Sequence, residues 1–399
     1  MAFPTVYTKV AFASNPSDSP QVYTDISSYC RESHISRMRQ YELDRMESGT
    51  WDGVLDNTDR RFDPTNTAGA YYPNVKQKRT LQQYAVVGGN TYYLFTGAVD
   101  AWPLSWNDPS YSEVAVRCYD LFEALSNDDT FAGNCPAELS GARLGRALTA
   151  FDANISHGNL GVGCALIQAA DYTSNPQNYL DHLQTCTDTE GGVFRINGAG
   201  VPVFDDRSYR VTGARLTSKA TFGDAASEIP YEPDIAPSFD SALLKNAWTI
   251  SAPNLADQYV DDATSKTTYR KRAGSLDTLC ANVNDMVGIA QARVFLYKDP
   301  ALRFDSISVD IVAVEATTAG IWDTLLGLDI SDRVTVKKTP PGGGARIIQD
   351  CFIEGVQDDI GPSKAWKRTF RLSPCNPATY WLVNVAGYGE TGTHTWLGW

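Results

Sequence analysis

His34, His157, His182 and His394 are the residues from which a zinc site or a histidine base would have to be built. None stands in an H-E-x-x-H pattern, and the sequence pairs no Cys or acidic side chain with any of them in a recognised ligand motif. The eight cysteines, Cys30, Cys118, Cys135, Cys164, Cys186, Cys280, Cys351 and Cys375, contain no C-x-x-C pair. Spaced this widely, they read as buried free thiols of a protein assembled in a reducing cytoplasm. No G-x-S-x-G elbow and no G-x-x-x-x-G-K-[ST] loop occurs, and Gly158-Asn159-Leu160-Gly161-Val162-Gly163 has the reverse of dinucleotide-fingerprint spacing and reads as a loop. Asp128-Asp129, Asp205-Asp206, Asp261-Asp262 and Asp358-Asp359 could each supply half of a glycosidase pair. Most, however, lie where Asp accepts backbone hydrogen bonds in turns. Asp56-Asn57-Thr58-Asp59 with Asp63 lacks the register and terminal Glu of a calcium loop. The expectation is no catalytic residue, no cofactor and no metal site, hence no enzyme.

The elements that would position any site are mostly strands. The chain has 399 residues, 43% hydrophobic and 20% charged, which is the composition of a packed protein long enough for several domains. Its 34 basic and 47 acidic residues leave a charge of -13, which argues against a nucleic-acid reader. No basic n-region precedes an apolar run at the N-terminus and no 18-residue apolar run follows, so neither export nor membrane insertion by this chain is expected. Twenty Tyr, nine Trp and fifteen Phe, spread along the chain among β-branched residues, favour strands.

Val6, Thr8, Val10 and Phe12 alternate with Tyr7, Lys9 and Ala11, Val114, Val116 and Cys118 repeat the pattern, and Gly88-Gly89 marks a hairpin. Residues 1–122 therefore read as a first small β-barrel. In residues 123–240, an α+β insertion, Leu144, Ala147, Leu148 and Phe151 recur at helical spacing after Ser140. Tyr179, Leu180, Leu183 and Cys186 do so after Asn175-Pro176, with Gly191-Gly192 as a left-handed stop. Val193 to Phe204 reads as two strands around an Asn197-Gly198 turn, making a helix-and-hairpin unit. Tyr231 to Ser238, with Pro233 and Pro237, reads as a connector.

Residues 241–380 read as a second β-barrel. It carries one helix around Val283, Met286, Val287, Ala290 and Val294, and a short one around Ile321, Trp322, Leu325 and Leu326. A parity slip between Leu302-Phe304 and Ile307-Val309-Ile311 suggests a bulge at Asp305-Ser306. The hairpin segments around Gly97 and Gly355 share an apolar-x-Gly pattern, so the two barrels read as duplicates, and residues 381–399 as a C-terminal extension. The fold class expected is mainly β with an α+β insertion: two small tube-type β-barrel domains plus a helix-and-hairpin domain.

Three segments near the N-terminus carry a family likeness. Tyr41-Glu42-Leu43-Asp44-Arg45, the stretch Leu55-Asp56-Asn57-Thr58-Asp59-Arg60-Arg61-Phe62-Asp63-Pro64, and Tyr71-Tyr72-Pro73-Asn74-Val75-Lys76 resemble the opening domain of minor tail proteins of long-tailed phages that infect actinobacteria. Ser140-Gly141-Ala142-Arg143-Leu144-Gly145-Arg146, the run from Leu180 through Glu190-Gly191-Gly192 to Asp205-Asp206-Arg207, and Gly355 to Pro362 with Phe370-Arg371-Leu372-Ser373-Pro374 are similar to the same family. More remotely, the helix and hairpin resemble baseplate hub proteins of contractile phages and the hub part of type VI secretion spikes.

The resemblance implies a tail-tip hub in the virion, assembled in the host cytoplasm. It would be a homotrimer whose two barrels per chain continue the sixfold tail tube. Its partners would be a distal tail protein or tube ring, the tape measure protein and other tip proteins, with phage DNA passing unbound through an acidic bore. The aromatic, glycine-rich end, Tyr388 to Trp399, would be a docking strap. Two other readings remain: a hexameric distal tail ring protein, and a tail-associated cell-wall hydrolase or receptor-binding lectin. The second is disfavoured because no His-metal, Cys-His or Gly-x-Ser-x-Gly arrangement is present and the aromatics do not cluster.

Overall fold

A computed structural model describes residues 3–108, 111–233, 235, 237–239, 241–375, 379–380 and 395–396. The predicted C-terminal strap lies almost wholly outside them. Of these residues, 20% are helical and 36% lie in strands.

Alternation builds the first region. Its strands are β1 (Thr5–Val10), β2 (Thr24–Asp25), β3 (Cys30–Met38), β4 (Thr50–Asp56), β5 (Thr80–Val87), β6 (Asn90–Ala101), β7 (Leu104–Asp108) and β8 (Tyr111–Tyr119). Thr8 and Val10, and likewise Val114, Val116 and Cys118, are buried on the core side as their period-2 spacing requires, whereas Phe12 lies in the turn after β1 and is buried together with its neighbour Ala11. The β5–β6 hairpin turns at Gly88 and Gly89, with φ of +55° and +90°, the two left-handed positions of a type I′ turn. The antiparallel order is β2-β1-β5-β6-β8-β4-β3, with β7 also beside β8.

The two β regions do not close separately. Residues Gly355 to Ile360 of the strand Ile347–Ile360 pair antiparallel with Met38 to Ser33 of β3, and the other edge of that strand pairs with Trp366–Pro374. Arg333–Lys338 and Ser306–Asp310 complete the second region, and Ala220–Phe222 of the insertion pairs parallel with Arg333–Lys338, so both regions and this one strand share a thirteen-stranded sheet. Among the described residues there is no closed barrel, which corrects the two-barrel expectation. Each region satisfies an open edge by pairing with the other rather than by curling on itself. Gly97 and Gly355 do have a common role. A Cβ at Gly97 would fall 2.2 Å from the Tyr119 carbonyl oxygen, and one at Gly355 would fall 2.1 Å from Met38 Cβ, so both permit close approach of a neighbouring strand.

The insertion follows its predicted elements with local corrections. Helix α1 (Leu121–Ser126) is capped by Asp120, α2 spans Ser140–Phe151, and α3 spans Tyr179–Glu190. The α3 cap is Asn178, whose side chain accepts from the Asp181 N–H, not Asn175. Gly191, at φ +73°, ends it as expected. The hairpin Val193–Ile196 with Pro202–Asp205 turns through residues 197–201 rather than a two-residue Asn-Gly turn, with Asn197 Oδ1 accepting from the Ala199 and Val201 N–H groups. Gly198 lies flat on β6, where a Cβ would meet the Tyr93 carbonyl at 2.0 Å.

The sharpest departure is at 247–297. Ala247–Ser251 pairs antiparallel with Gln258–Asp261 and parallel with Ala273–Asp277, and the helix Val283–Tyr297 packs on this three-stranded sheet. Trp248, Ile250, Met286, Ala290 and Val294 form a hydrophobic cluster apart from the main core. A small α/β module thus interrupts what read as a continuous second barrel. The parity slip at Asp305-Ser306 is likewise a break between two sheets: Leu302–Arg303 pairs with Ser238–Phe239, whereas Ser306–Asp310 pairs with Trp366–Pro374. Ile311 then begins a helix, Ile311–Glu315, capped by Asp310.

Candidate functional site: the seam between the β regions

The seam has a buried side and an open side. On the buried side, a β-bulge in the strand Ile347–Ile360 leaves Glu354 as the extra residue between Ile353 and Gly355 and turns it inward. Glu354 is 1% exposed and receives Arg39 Nε at 2.8 Å, Arg210 Nη1 at 2.6 Å and Ser373 Oγ at 2.5 Å. Burial alone would raise its carboxyl, but the flanking guanidiniums of Arg210 and Arg39 bring it down to about 2. Asp329 accepts from Arg37 of β3 at 3.1 Å and from Arg195 of the hairpin at 2.8 Å. These two cations hold it well below the ordinary carboxylate value in spite of burial. Arg195 also bonds Asp205 across the hairpin, at 3.1 Å. One ionic junction therefore pins the first region, the insertion and the second region together.

A second buried carboxylate, Glu190 at the end of α3, accepts from Ser140 Oγ at 2.8 Å, the Cys164 and Ala165 N–H groups at 2.9 and 2.7 Å, and Arg207 Nε at 2.9 Å. It ties the glycine-rich loop 158–163 to the two helices. That loop is a packing element: the Gly161 N–H donates to the Phe204 carbonyl, and the Gly163 N–H donates to Asp206.

The open side is a polar sheet face. Asp310, Lys367, Asp359, His34, Asp52 and Arg117 are direct cross-strand partners, one from each of six adjacent strands. They form a row of mostly alternating charge that crosses the seam. His34 Nδ1 lies 2.5 Å from Asp359 Oδ1, and Arg117 Nε lies 2.5 Å from Asp52 Oδ1. A parallel row two residues along, Ser308, Thr369, Gln357, Ser36, Thr50 and Tyr119, carries hydroxyl and amide groups. Beside the first row a groove of about 370 Å³ opens between His34, Asp52 and Asp359 on one wall and Glu32, Val54 and Ala115 on the other.

The residues singled out from the sequence are placed as folding devices. Asp128, Asp206 and Asp262 accept from backbone N–H groups two or three residues on, Asp205 and Asp261 pair with Arg195 and Lys266, and Asp358 accepts from Trp366 Nε1. Asp56 and Asp63 each cap a Thr two residues on, and Asn57, fully buried, accepts from the Phe62 N–H. Among the described residues no group of three or more His, Cys, Asp or Glu is arranged to hold a metal.

The sequence pairs no Cys with a His in a recognised ligand motif, yet His182 and Cys186 meet one turn apart on α3, with Nε2 and Sγ at 3.7 Å. Burial pushes His182 down to about 4 and Cys186 up to about 12. Both are neutral, the opposite of an activated thiolate and imidazolium. All eight cysteines are free, but Cys164 is exposed and Cys30 and Cys375 are only partly covered, so they are not uniformly buried. The aromatics also cluster in space although not in sequence. Phe12, Phe62, Tyr71 and Trp102 stack in the first region's core, and Tyr7, Tyr84 and Tyr93 lie in a row across β1, β5 and β6.

Sequence reasoning missed Glu354, Arg37, Arg39, Arg210 and Asp329. The signal was present for two of them: Glu354 interrupts the apolar run Cys351 to Val356, and Arg37 occupies a core-parity position of β3.

With this geometry in hand, the fold can be compared with known ones. No family model and no curated protein matches the sequence. Solved structures do match in fold. The tail protein from Neisseria meningitidis MC58 aligns with a TM-score of 0.58 at 12% identity, over 93% of this chain and 96% of that one. The 43 kDa tail protein of prophage MuSo2 from Shewanella oneidensis aligns at 0.56 and 14% identity, over 92% and 97%. A chain of the lidded Francisella PdpA-VgrG complex aligns at 0.50 and 10% identity, over 93% of this chain and 52% of that one. Over 92–93% of its length the chain therefore shares the fold of these two phage tail proteins.

Proposed function

We propose that the chain is a structural hub at the tip of a phage tail. Three copies form a ring with six similar walls, which ends the tail tube, links it to tip proteins and leaves a channel for genome ejection. The observation that carries this is the seam. Antiparallel pairing of β3 with Ile347–Ile360 lets one chain supply two adjoining wall segments, so that threefold rotation yields six. The likeness to two phage tail proteins over 92–93% of the chain supports a tail component of the virion. A non-enzymatic role is consistent with those neighbours and with the neutral state of His182 and Cys186.

In this reading the chain divides into a first β region to 122, an insertion at 123–240, a second β region from 241 that carries the 247–297 module, and an extension from 381. The resemblance of the motifs around Tyr41, Asp56 and Tyr71 supports placing it in a long-tailed phage of actinobacteria. Its neighbours are a distal tail protein or tube ring, the tape measure protein and other tip proteins. The Francisella complex, in which a protein of this fold is bound by a second protein, is a precedent for such partners. Light scattering on the purified protein tests the copy number: three chains of 43.7 kDa give about 131 kDa. Twice that mass identifies a hexameric ring subunit instead.

A further inference from the structure

The open face of the seam is left over once the rest of the sheet is accounted for. On the six strands that carry the charged row, the opposite side chains, Ile35, Trp51, Val116, Val356 and Phe370 among them, are buried in the core. Among the described residues nothing comparable covers the open face, and its chemistry is unlike a protein-binding surface. An interface needs an apolar, aromatic-rich centre depleted in Asp and Lys. Here two successive rows of six carry carboxylates, an imidazole, hydroxyls and an amide, with Tyr119 at one end.

The surface also fails as a nucleic-acid grip. A protein holds DNA by placing free Lys and Arg against phosphate and releasing counterions. In the charged row, Lys367 Nζ is occupied by Glu232 at 2.6 Å and Arg117 by Asp52 at 2.5 Å. Three carboxylates, Asp310, Asp359 and Asp52, face these two cations. Arg371, two residues further along the second row's side of its strand pair, is half-buried and is in no ion pair among the described residues. The face thus combines near-neutral overall charge with row cations that are each held in an ion pair, Arg117 and Lys367 being 57% and 43% exposed.

We propose that this face is the slip surface of the channel, the wall along which the phosphate backbone of the genome passes without being held. The proposal rests on the hub reading and adds which surface meets the DNA and how. It also replaces a strongly acidic bore with a charge-compensated one. Such a wall neither binds the duplex nor repels it strongly enough to impede entry.

The test uses whole virions carrying Asp52→Lys with Asp359→Lys, and separately Gln357→Lys, which leaves both ion pairs of the charged row in place. In a trimer the double variant presents six new ammonium groups, and each phosphate contact contributes a salt exponent of roughly 0.9. DNA ejection should slow about tenfold or more at low salt and recover as salt is raised. The Gln357 variant should show the same salt recovery with a smaller slowing. Wild-type ejection rates for both variants at low salt overturn the proposal, as does a trimeric ring whose Asp52 and Gln357 point away from the axis. In either case the hub stands. A tip without three copies overturns the hub and this proposal together.

Discussion

Glu354 is the residue on which the junction turns, because its loss would strand two guanidiniums, Arg39 and Arg210, in a site it fills. Removing one partner of a buried ionic group typically costs about 3 to 5 kcal/mol. Glu354→Gln should lower stability by that amount, read from the urea midpoint near neutral pH. The pH dependence has a definite sign. Glu354 is lowered to about 2, so its contribution is full above the ordinary glutamate value and is lost as pH falls toward about 2.

Asp120 behaves oppositely. Burial raises it to about 6 despite hydrogen bonds from the Gly49 and Phe122 N–H groups. Its linked contribution is full below the unfolded-state value near 4 and is lost as pH rises through about 6. Asp120→Asn should therefore flatten the stability profile in that acidic window and leave the lower one to Glu354. Thiol labelling followed by mass spectrometry gives a further check. Cys164 should react in the folded protein, whereas Cys118, Cys186 and Cys351 should label only on unfolding.

At the scale of elements, local signals were legible and distant ones were not. The Gly88-Gly89 turn, the left-handed stop at Gly191 and the apolar faces of α2 and α3 are written within a few residues, and each formed where its spacing placed it. The α3 cap was misplaced because Asn175 and Asn178 both fit the type, and only the backbone decides between them. Asn178→Ala should cost about 1 kcal/mol, with Asn175→Ala nearly neutral, in thermal unfolding. The seam was invisible because its partners are far apart in sequence: His34 and Asp359 are separated by 325 residues. A strand edge that pairs with another region reads the same as one that closes a barrel. The 247–297 module was hidden for a related reason, since its parallel strand pair and helix carry apolar runs that a barrel would also use.

For the whole molecule, the account makes a single chain furnish two adjoining wall segments through one continuous sheet. Its ionic junction then has a mechanical meaning, because Arg37 and Arg39, Arg195 and Arg210, and Asp329 and Glu354 lock the two segments and the insertion at a fixed angle. A ring built by rotation closes only if that angle is constant from copy to copy. Glu354→Gln should consequently yield open or heterogeneous assemblies even under conditions where the monomer remains folded.

The most direct measurement is a cryo-EM reconstruction of the purified tail tip, computed without imposed symmetry. The account predicts three copies of this chain around the axis, with the seam of β3 and Ile347–Ile360 repeated three times in a wall of approximate sixfold symmetry. Six copies, or three copies whose two β regions are unrelated by any approximate rotation about the axis, would contradict it.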